Sequence, residues 1–383
     1  MKYIAFYDTK DFENEKRRVA LCAANLTDYI LDVLTDFNTV EIISPSRTRN
    51  KSGFYKGRTS EVSPGITLTQ PPTFGVRTKI GRAVAIAYTL LWLIIYLLIH
   101  TKKGETVMVY HSLSTMMPVK LIKKIKKVKL ILEIREFYSD ARQCYDEFNK
   151  STDKTHQKEV RYFSIADKYV FPTEILNRIV NTDNKPYVIS PGIYKSEKRL
   201  ASKAWDDGKT HIVYAGTLRQ SKGVFHAIDV AEFLDKKYCV HILGGGRAEN
   251  IEEVKKEVER IKRLTETNIV FEGQLSGDEF KAFLQKCQIG LSPQSSDAAF
   301  NDTSFPSKIF TYFANGLDVV SVRIPTIETS PVGEYIHYYK SDSVEDLARV
   351  IREVSKKPKV NKTELLDRLD SQLRSDLKKL VLQ

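Results

Sequence analysis

The sequence predicts an α/β protein of two consecutive doubly wound domains that face a central cleft. The chain has 383 residues, too many for one ordinary domain and enough for two of about 150–200 residues each. Its 42% hydrophobic and 28% charged residues are typical of globular proteins. Short apolar runs, typical of buried strands, alternate along most of the chain with segments whose apolar residues have helical spacing. This is the pattern of a parallel sheet covered by helices.

In the first half, the alternation predicts a sheet flanked by helices. Strands are predicted at residues 1–7, 40–44, 106–111, 130–134, 168–171 and 187–190. Helices are predicted at 15–34, 116–128 and 153–166, with an uncharged segment at 83–99. Residues 47–78 are rich in Gly, Pro, Ser and basic residues without a clear period, so we predict mostly loop there.

A charged segment poor in large aliphatic residues, 194–209, is the predicted linker, and the alternation restarts after it. The second half predicts strands at 211–215, 239–243, 269–272, 289–292 and 319–322, with helices between them. We place a basic first domain at 1–195, a second domain at 205–360, and a C-terminal helix that packs back on the first domain at 361–383. Ligands of open parallel sheets bind at the carboxyl ends of the strands.

The charge of the chain is uneven. Of the net charge of +12, residues 1–200 hold 33 basic and 21 acidic side chains, and residues 201–383 hold 27 of each. An anionic partner is therefore predicted for the first half. The four cysteines are scattered without a C-x-x-C pair, which excludes a disulfide scaffold, disfavours a thiolate zinc site and fits a reducing cytosol. The first residues show no secretory signal pattern, so we expect a cytoplasmic protein.

Two segments of the first half bear on membrane contact. Residues 83–99 contain no charged side chain and would form a helix of seventeen residues, about 26 Å long. A helix that spans a bilayer needs roughly 20 residues, so this one is slightly short. A buried domain helix, a helix dipping into one leaflet and a true span remain alternatives, although a span would separate the strands at 1–7 and 106–111. In residues 119–129, six lysines alternate with five aliphatic residues, four of which, Leu121, Ile122, Ile125 and Val128, recur at helical spacing. This pattern fits a solvated helix face, contact with anionic lipid headgroups, or nucleic acid, for which no module is present.

The second domain opens with V-Y-A-G-T-L-R-Q-S-K-G, residues 213–223. Gly216 follows a strand, and Arg219 and Lys222 precede a helix, whose amino end favours an anion. Three glycines, Gly244 to Gly246, follow the next strand and form either a simple turn or a place for a base or phosphate.

The most specific segment is S-F-P-S-K-I-F-T-Y-F-A-N-G-L-D-V-V-S, residues 304–321. With the preceding F-E-G-Q-L-S-G-D-E-F and C-Q-I-G-L-S-P-Q, it resembles the nucleotide-sugar half of family 4 retaining glycosyltransferases. The resemblance covers most of residues 205–355 and implies the GT-B fold, two Rossmann-like domains facing a cleft. Over residues 1–190 the resemblance is one of layout.

By that resemblance, Gly216, Arg219, Lys222, Gly245 and Lys308 would bind the donor, with the cations on its diphosphate. Fixed cations stabilise the charge that builds up on a departing diphosphate. Two glutamates common in the family correspond to Thr303 and Thr311, and we keep Thr311 as a donor-binding candidate. This sequence has Asp318 where the family has the proline of its P-V-V step. The charged segment 8–18 stands where the family has a glycine-rich loop.

On the acceptor side, Arg135 and Glu136 follow the strand at 130–134. Many members of the family have a His-Glu pair here that faces the cleft, so Glu136 and Arg135 are our catalytic candidates. A salt bridge at a strand end is the alternative. His111 ends the preceding strand and is either structural or faces the cleft. No H-E-x-x-H motif, acidic cluster or Ser-His-Asp signature is present, so we predict neither a metal nor a cofactor.

We therefore expect a retaining glycosyltransferase that moves a sugar from a nucleotide-diphosphate sugar to a lipid-linked glycan or saccharide acceptor, as in bacterial surface polysaccharide synthesis. Its partners would include an anionic membrane surface and exclude nucleic acid, and it would lie peripherally on the inner face of the cell membrane. A non-catalytic nucleotide-sugar or glycan-binding protein on the same fold is one alternative, motivated by the two threonines. A nucleotide-sugar epimerase is another.

Overall fold

The computed structural model describes residues 1–9, 14–19, 21–135, 152–200, 205–340, 343–358 and 360–383. The first half builds a sheet of eight described strands in the order β10-β9-β8-β7-β1-β2-β5-β4, parallel except for β4. The strands of this sheet are β1 (Lys2–Ile4), β2 (Val40–Ile43), β4 (Arg58–Ser63), β5 (Ile66–Gln70), β7 (Thr106–Tyr110), β8 (Lys129–Glu133), β9 (Lys168–Phe171) and β10 (Tyr187–Ile189). Two further strands, β3 (Phe54–Tyr55) and β6 (Thr73–Phe74), form a separate antiparallel ribbon. The helices are α1 (Leu21–Thr35), α2 (Lys79–His100), α3 (Met116–Lys126), α4 (Thr152–Phe163) and α5 (Glu174–Val180).

The second half builds a parallel sheet of six described strands in the order β13-β12-β11-β14-β15-β16. Its strands are β11 (Thr210–Ala215), β12 (Tyr238–Leu243), β13 (Asn268–Gly273), β14 (Ile289–Ser292), β15 (Asp318–Val322) and β16 (Ile336–Tyr339). The helices are α6 (Val224–Asp229), α7 (Ala248–Leu264), α8 (Gly277–Leu284), α9 (Lys308–Ala314), α10 (Pro325–Glu328), α11 (Val344–Val354) and α12 (Lys362–Leu382). This strand order is that of a doubly wound Rossmann sheet, so the predicted fold class is confirmed.

The structure corrects the predicted loop at 47–78, which contains β3 to β6. Strand β5 pairs in parallel with β2, and a turn at Pro64 and Gly65 returns β4 antiparallel to β5. Three of the five residues of β5, I-T-L-T-Q, are β-branched, and Ile66 and Leu68 are buried. The Gly and Pro content of the segment therefore marks tight turns between short edge strands.

The predicted helix at 15–34 begins later, at Leu21. Before it, the buried Arg17 donates hydrogen bonds to the carboxylate of Glu15 and to the backbone carbonyls of Ser46 and Pro71. The backbone around Arg17 pairs antiparallel with Thr48, and the Arg18 amide donates to the Arg47 carbonyl at 2.9 Å, so this segment uses its backbone hydrogen bonds outside a helix.

Helix α2 packs one face on the first sheet and leaves an apolar face outside. Its buried residues recur at helical spacing: Ala85, Thr89, Leu93 and Leu97. The side chains of Ile80 and Ile99, at its two ends, are 79% and 68% exposed, and Val84, Ile86, Tyr88, Leu91 and Ile95 are exposed between them. Within the described part of the chain, α2 is the one helix whose length and composition would allow a membrane crossing. Its buried face packs on the sheet through Leu93 and Leu97, and β1 and β7, which lie before and after it in the chain, pair in that same sheet.

Helix α12 leaves the second domain and returns to the first. Asn361 caps its start, and the ammonium of Lys362 lies 3.0 Å from the Asp318 carboxylate, with both side chains at most 10% exposed. Further along, Asp370 accepts a hydrogen bond from Tyr29 at 2.7 Å, and Arg374 pairs with Asp32 at 2.5 Å. The helix therefore contacts both halves of the molecule.

Candidate active site

The crevice at the carboxyl edge of the second sheet lies between β11 and β14. Strands β12 and β13 lie on one side of β11 in the sheet, and β14, β15 and β16 lie on its other side. The connections after these two neighbouring strands diverge to opposite faces, which is the point where doubly wound sheets bind their ligands. The loop after β11 holds Gly216, Arg219 and Lys222, and the helix that follows β14 starts at Lys308.

Glycines bring the loops of this crevice into direct contact. The amide of Gly216 donates to the carbonyl of Leu243 at 3.1 Å, which continues the ladder past the end of β11. A Cβ on Gly244 would lie 1.8 Å from the carbonyl oxygen of Gly216, and one on Gly245 would lie 2.4 Å from Oε1 of Gln274. A side chain at Gly244 would push the loops after β11 and β12 apart, whereas one at Gly245 would only displace the Gln274 side chain.

Lys222 ends a 3-10 turn, Gln220–Lys222, between β11 and α6. The next residue, Gly223, has a φ of +80°, and a Cβ there would lie 1.8 Å from the Pro293 carbonyl oxygen. The turn is therefore locked against the end of β14. This places the Lys222 ammonium 3.5 Å from the centroid of the Phe300 ring, a cation–π contact that fixes its position.

Lys308 is the first residue of α9 and points back to the same crevice. Its ammonium lies 4.2 Å from the centroid of the Tyr214 ring and 3.5 Å from the carbonyl oxygen of Lys222. A Cβ on Gly216 would be 3.6 Å from the same nitrogen. Burial, together with the nearby charge of Lys222, lowers the pKa of Lys308 to about 7. The structure thus brings together Gly216, Lys222 and Lys308, three of the predicted donor-binding residues.

The other predicted donor residues lie on the same elements. Arg219 is half-buried and immediately precedes the turn that carries Lys222. Gly245 accepts a hydrogen bond from the Leu218 amide at 3.1 Å. Thr311 lies one turn beyond Lys308 on α9, with its hydroxyl 3.4 Å from the Ser307 carbonyl oxygen.

On the acceptor side, Glu136 lies outside the described residues. Arg135 forms an ion pair with the buried Glu133, whose Oε1 accepts from Arg135 Nε at 2.7 Å. The same guanidinium donates to the Ser190 carbonyl, and Glu133 also accepts from the Tyr3 hydroxyl. Arg135 is therefore anchored at the carboxyl edge of the first sheet; its catalytic role stays a prediction.

His111 is buried at the same edge, next to Phe163, whose ring centroid is 4.7 Å from that of the imidazole. Burial lowers the pKa of His111 to about 3, so the ring is neutral near pH 7. A neutral, enclosed imidazole matches the structural alternative for this residue.

Sequence reasoning missed two aromatic residues of the donor crevice, Tyr214 and Phe300. The Tyr214 hydroxyl donates to the Thr217 carbonyl at 2.8 Å and its ring lies against Lys308, while Phe300 lies under Lys222. The tyrosine stands in the quoted V-Y-A-G motif, where it reads as an ordinary strand residue. Phe300 lies 78 positions from Lys222, and no local pattern signals a contact at that separation.

Comparison with known proteins agrees with this geometry. Residues 195–374 match the family model described as glycosyl transferases group 1. An E. coli structure described as trehalose-6-phosphate bound with UDP-2-fluoro glucose superimposes with a TM-score of 0.69 at 10% identity, covering 100% of this chain and 99% of that one. Sucrose-phosphate synthase from Thermosynechococcus elongatus gives a TM-score of 0.68 at 13% identity, covering 99% and 98%. An α,α-trehalose-phosphate synthase (UDP-forming) from Burkholderia vietnamiensis gives 0.67 at 10%, covering 100% and 98%. No curated protein sequence matches the chain.

The fold is therefore GT-B, with two Rossmann-like domains, and residues 195–374 are similar to glycosyl transferases group 1. This match covers a little less than half of the chain.

Proposed function

We propose that the protein is a retaining glycosyltransferase of the family 4 type that transfers a sugar from a nucleotide-diphosphate sugar to a lipid-linked glycan in surface polysaccharide synthesis. The observation that carries the donor half of this proposal is the pair Lys222 and Lys308, which face one crevice at the switch point of the second sheet. Two fixed cations beside bare glycine backbone suit a diphosphate.

The proposed chemistry follows from the charge that the donor develops. As the bond between the sugar and the diphosphate breaks, negative charge accumulates on the leaving phosphate, and prepositioned cations stabilise it. Lys222, Lys308 and Arg219 supply this charge from the protein itself. In a front-face displacement, the departing phosphate oxygen takes the proton of the acceptor hydroxyl, and Glu136 with Arg135 would position the acceptor at the facing edge of the first sheet.

The outer surface of the first domain supports a membrane-borne acceptor. Helix α2 presents its apolar face outward, and the exposed Arg77, Lys79, Arg82, Lys102 and Lys103 flank its two ends. Helix α3 packs beside it. Lys120, Lys123, Lys124 and Lys185 line an open cavity of about 470 Å³ at α3. Apolar surface combined with basic side chains is what holds a protein to an anionic bilayer. We place the protein on the cytoplasmic face of the cell membrane.

A sugar phosphate is the second candidate acceptor. The similar structures include trehalose-phosphate and sucrose-phosphate synthases, and one from Burkholderia xenovorans is described as in complex with glucose-6-phosphate. The excess positive charge of residues 1–200 would suit a phosphate on either kind of acceptor.

The test is release of nucleoside diphosphate from a panel of nucleotide sugars in three arms: no acceptor, a lipid diphosphate-linked saccharide, and glucose 6-phosphate. We expect release that depends on the lipid-linked acceptor and is lost in Lys222→Ala. Release only with glucose 6-phosphate would transfer the proposal to the second acceptor. Donor binding without release in any arm would contradict transfer, and conversion of the donor sugar without an acceptor would indicate an epimerase.

A further inference from the structure

The second domain contains a buried cluster of two histidines and a cysteine at the edge of the sheet opposite the donor crevice. His211 on β11 pairs directly with Cys239 on β12, and His241 follows two residues later on the same face of the sheet. The three side chains belong to residues that are 3–5% exposed, and their ligand atoms all lie within 4.8 Å of one another. Five residues of strand, about 16 Å, separate His211 from Gly216.

The hydrogen bonds of the two imidazoles place two unprotonated nitrogens opposite each other. Nε2 of His211 lies 3.0 Å from Oδ1 of Asp207, and Nδ1 of His241 lies 2.8 Å from Oε1 of Glu272. A carboxylate only accepts hydrogen bonds, so these outer nitrogens carry the protons. The inner nitrogens, Nδ1 of His211 and Nε2 of His241, then face each other as two lone pairs at 2.9 Å. Such an arrangement requires a cation between them, either a proton or a metal ion.

The surroundings favour a metal ion. A histidine whose other nitrogen donates to a carboxylate is the usual form of a metal-bound imidazole, and here both rings have that partner. Zinc–nitrogen distances of about 2.0–2.1 Å at a tetrahedral angle need nitrogens about 3.3 Å apart, so the rings have to separate by only a few tenths of an ångström. Cys239 would add a thiolate when Zn²⁺ displaces its proton to solvent, and two nitrogens with one sulfur suit Zn²⁺.

Aromatic side chains hold the cluster rigid. The indole of Trp205 stacks on both imidazoles, with centroid distances of 4.1 Å to His211 and 5.0 Å to His241. Phe283 meets the His241 ring edge-on at 5.2 Å. Because Trp205 and Asp207 precede β11, the same cluster fastens the segment that enters the second domain onto its sheet.

We propose that His211, His241 and Cys239 bind one Zn²⁺ ion, oriented by Asp207 and Glu272 and with a water molecule as fourth ligand. The site lies at the opposite end of the strands from the donor crevice, so the ion would not contact the donor. It joins β11, β12 and the entering segment at one point.

The test uses the full-length protein, stripped of metal and then titrated with Zn²⁺ or Co²⁺. We expect one equivalent of zinc by mass spectrometry of the metal, and cobalt spectra with tetrahedral d–d bands and a thiolate-to-cobalt charge-transfer band. Cys239→Ser should lose that charge-transfer band and weaken binding at least tenfold. Glu272→Gln should keep the band and bind about 10–100-fold more weakly, the usual effect of losing an outer carboxylate. Zinc should raise the unfolding temperature of the wild type more than that of Cys239→Ser.

Cys287→Ser is the matched control, because Cys287 is also a buried cysteine of this domain and lies outside the cluster. It should bind like the wild type. Absence of stoichiometric metal binding, or equal binding in Cys239→Ser and Cys287→Ser, would overturn the proposal and leave a proton between the two rings. If Cys239→Ser fails to fold by circular dichroism, Glu272→Gln decides the matter: unchanged affinity there overturns the site as described.

Discussion

At the scale of single residues, the proposed contact of Lys308 with the donor predicts that binding is coupled to proton uptake. Its pKa of about 7 in the empty crevice, lowered by burial and by Lys222, leaves the amine largely neutral at pH 8. A bound diphosphate raises that pKa, since opposite charge favours the ammonium. We expect nucleoside diphosphate binding at pH 8 to take up close to one proton, and binding at pH 5.5 to take up none at this residue. Calorimetry in buffers of different ionisation enthalpy measures the uptake.

Lys308→Gln is the informative control for this linkage. It should bind more weakly and lose the difference in proton uptake between pH 8 and pH 5.5. An unchanged proton uptake in this variant would assign the titration to another group.

Lys222 should contribute directly to donor affinity. Lys222→Ala removes a charge-assisted hydrogen bond to phosphate and should weaken nucleoside diphosphate binding by about 1.5–3 kcal/mol, roughly 10–150-fold. Lys236→Ala, an exposed lysine on the surface before β12, is the matched control and should bind normally. Unchanged calorimetric affinity in Lys222→Ala would remove this residue from the site.

The residues that sequence could predict are those carried by local motifs. Gly216 and Lys222 stand in one short segment between a strand and a helix, and Lys308 stands in the motif at residues 304–321. The residue types in these two segments, and their order, predict an anion-binding site. Tyr214 and Phe300, which hold the two ammonium groups, were missed because an aromatic residue in a strand or loop looks the same whether or not a lysine lies over it. The His211 and His241 cluster was missed for a similar reason, since its partners come from separate strands.

At the scale of elements, the start of α12 is anchored by the buried ion pair of Lys362 with Asp318. Removing one partner of a buried pair leaves an uncompensated charge, which costs about 3–5 kcal/mol. We therefore expect Lys362→Met to lower the free energy of unfolding by about this amount, measured by urea denaturation. The double variant Asp318→Val with Lys362→Met removes both charges and should recover most of the loss. A double variant as unstable as the single one would contradict this account.

The pair also explains a departure from the family pattern. Asp318 occupies the position where the resemblance expects proline, and the structure gives its carboxylate a partner 44 residues downstream. The predicted helix at 361–382 is close to the observed α12, since its aliphatic period and the capping Asn361 are both local signals. The strands β4 and β5 lacked such signals: they are short, polar on one face and separated only by the turn at Pro64 and Gly65, and the pairing of β5 with β2 is a long-range contact.

At the scale of the whole molecule, the uneven charge predicts binding to anionic vesicles through the first domain. Changing Lys124, Lys126, Lys127 and Lys129 to Gln should reduce flotation with anionic vesicles, and 1 M salt should reduce it as well, because the Debye length falls from about 10 Å at 0.1 M to about 3 Å. Lys123 is left intact, because it pairs with Asp167 at 2.5 Å.

The apolar contribution is tested separately with Leu91→Gln combined with Ile95→Gln, both on the outer face of α2. This variant should bind vesicles less at every salt concentration. Leu264→Gln, at an exposed leucine of the second domain, should bind like the wild type. Equal binding to neutral and anionic vesicles, or binding to neither, would refute the membrane proposal.

The return of α12 to the first domain gives the two halves a second connection. Lys168 of the first domain donates a hydrogen bond to the Leu380 carbonyl at 2.6 Å, close to the end of the chain, while Lys362 holds the other end of the helix to the second domain. A break in the backbone between Leu200 and Trp205 would therefore leave two fragments that stay associated.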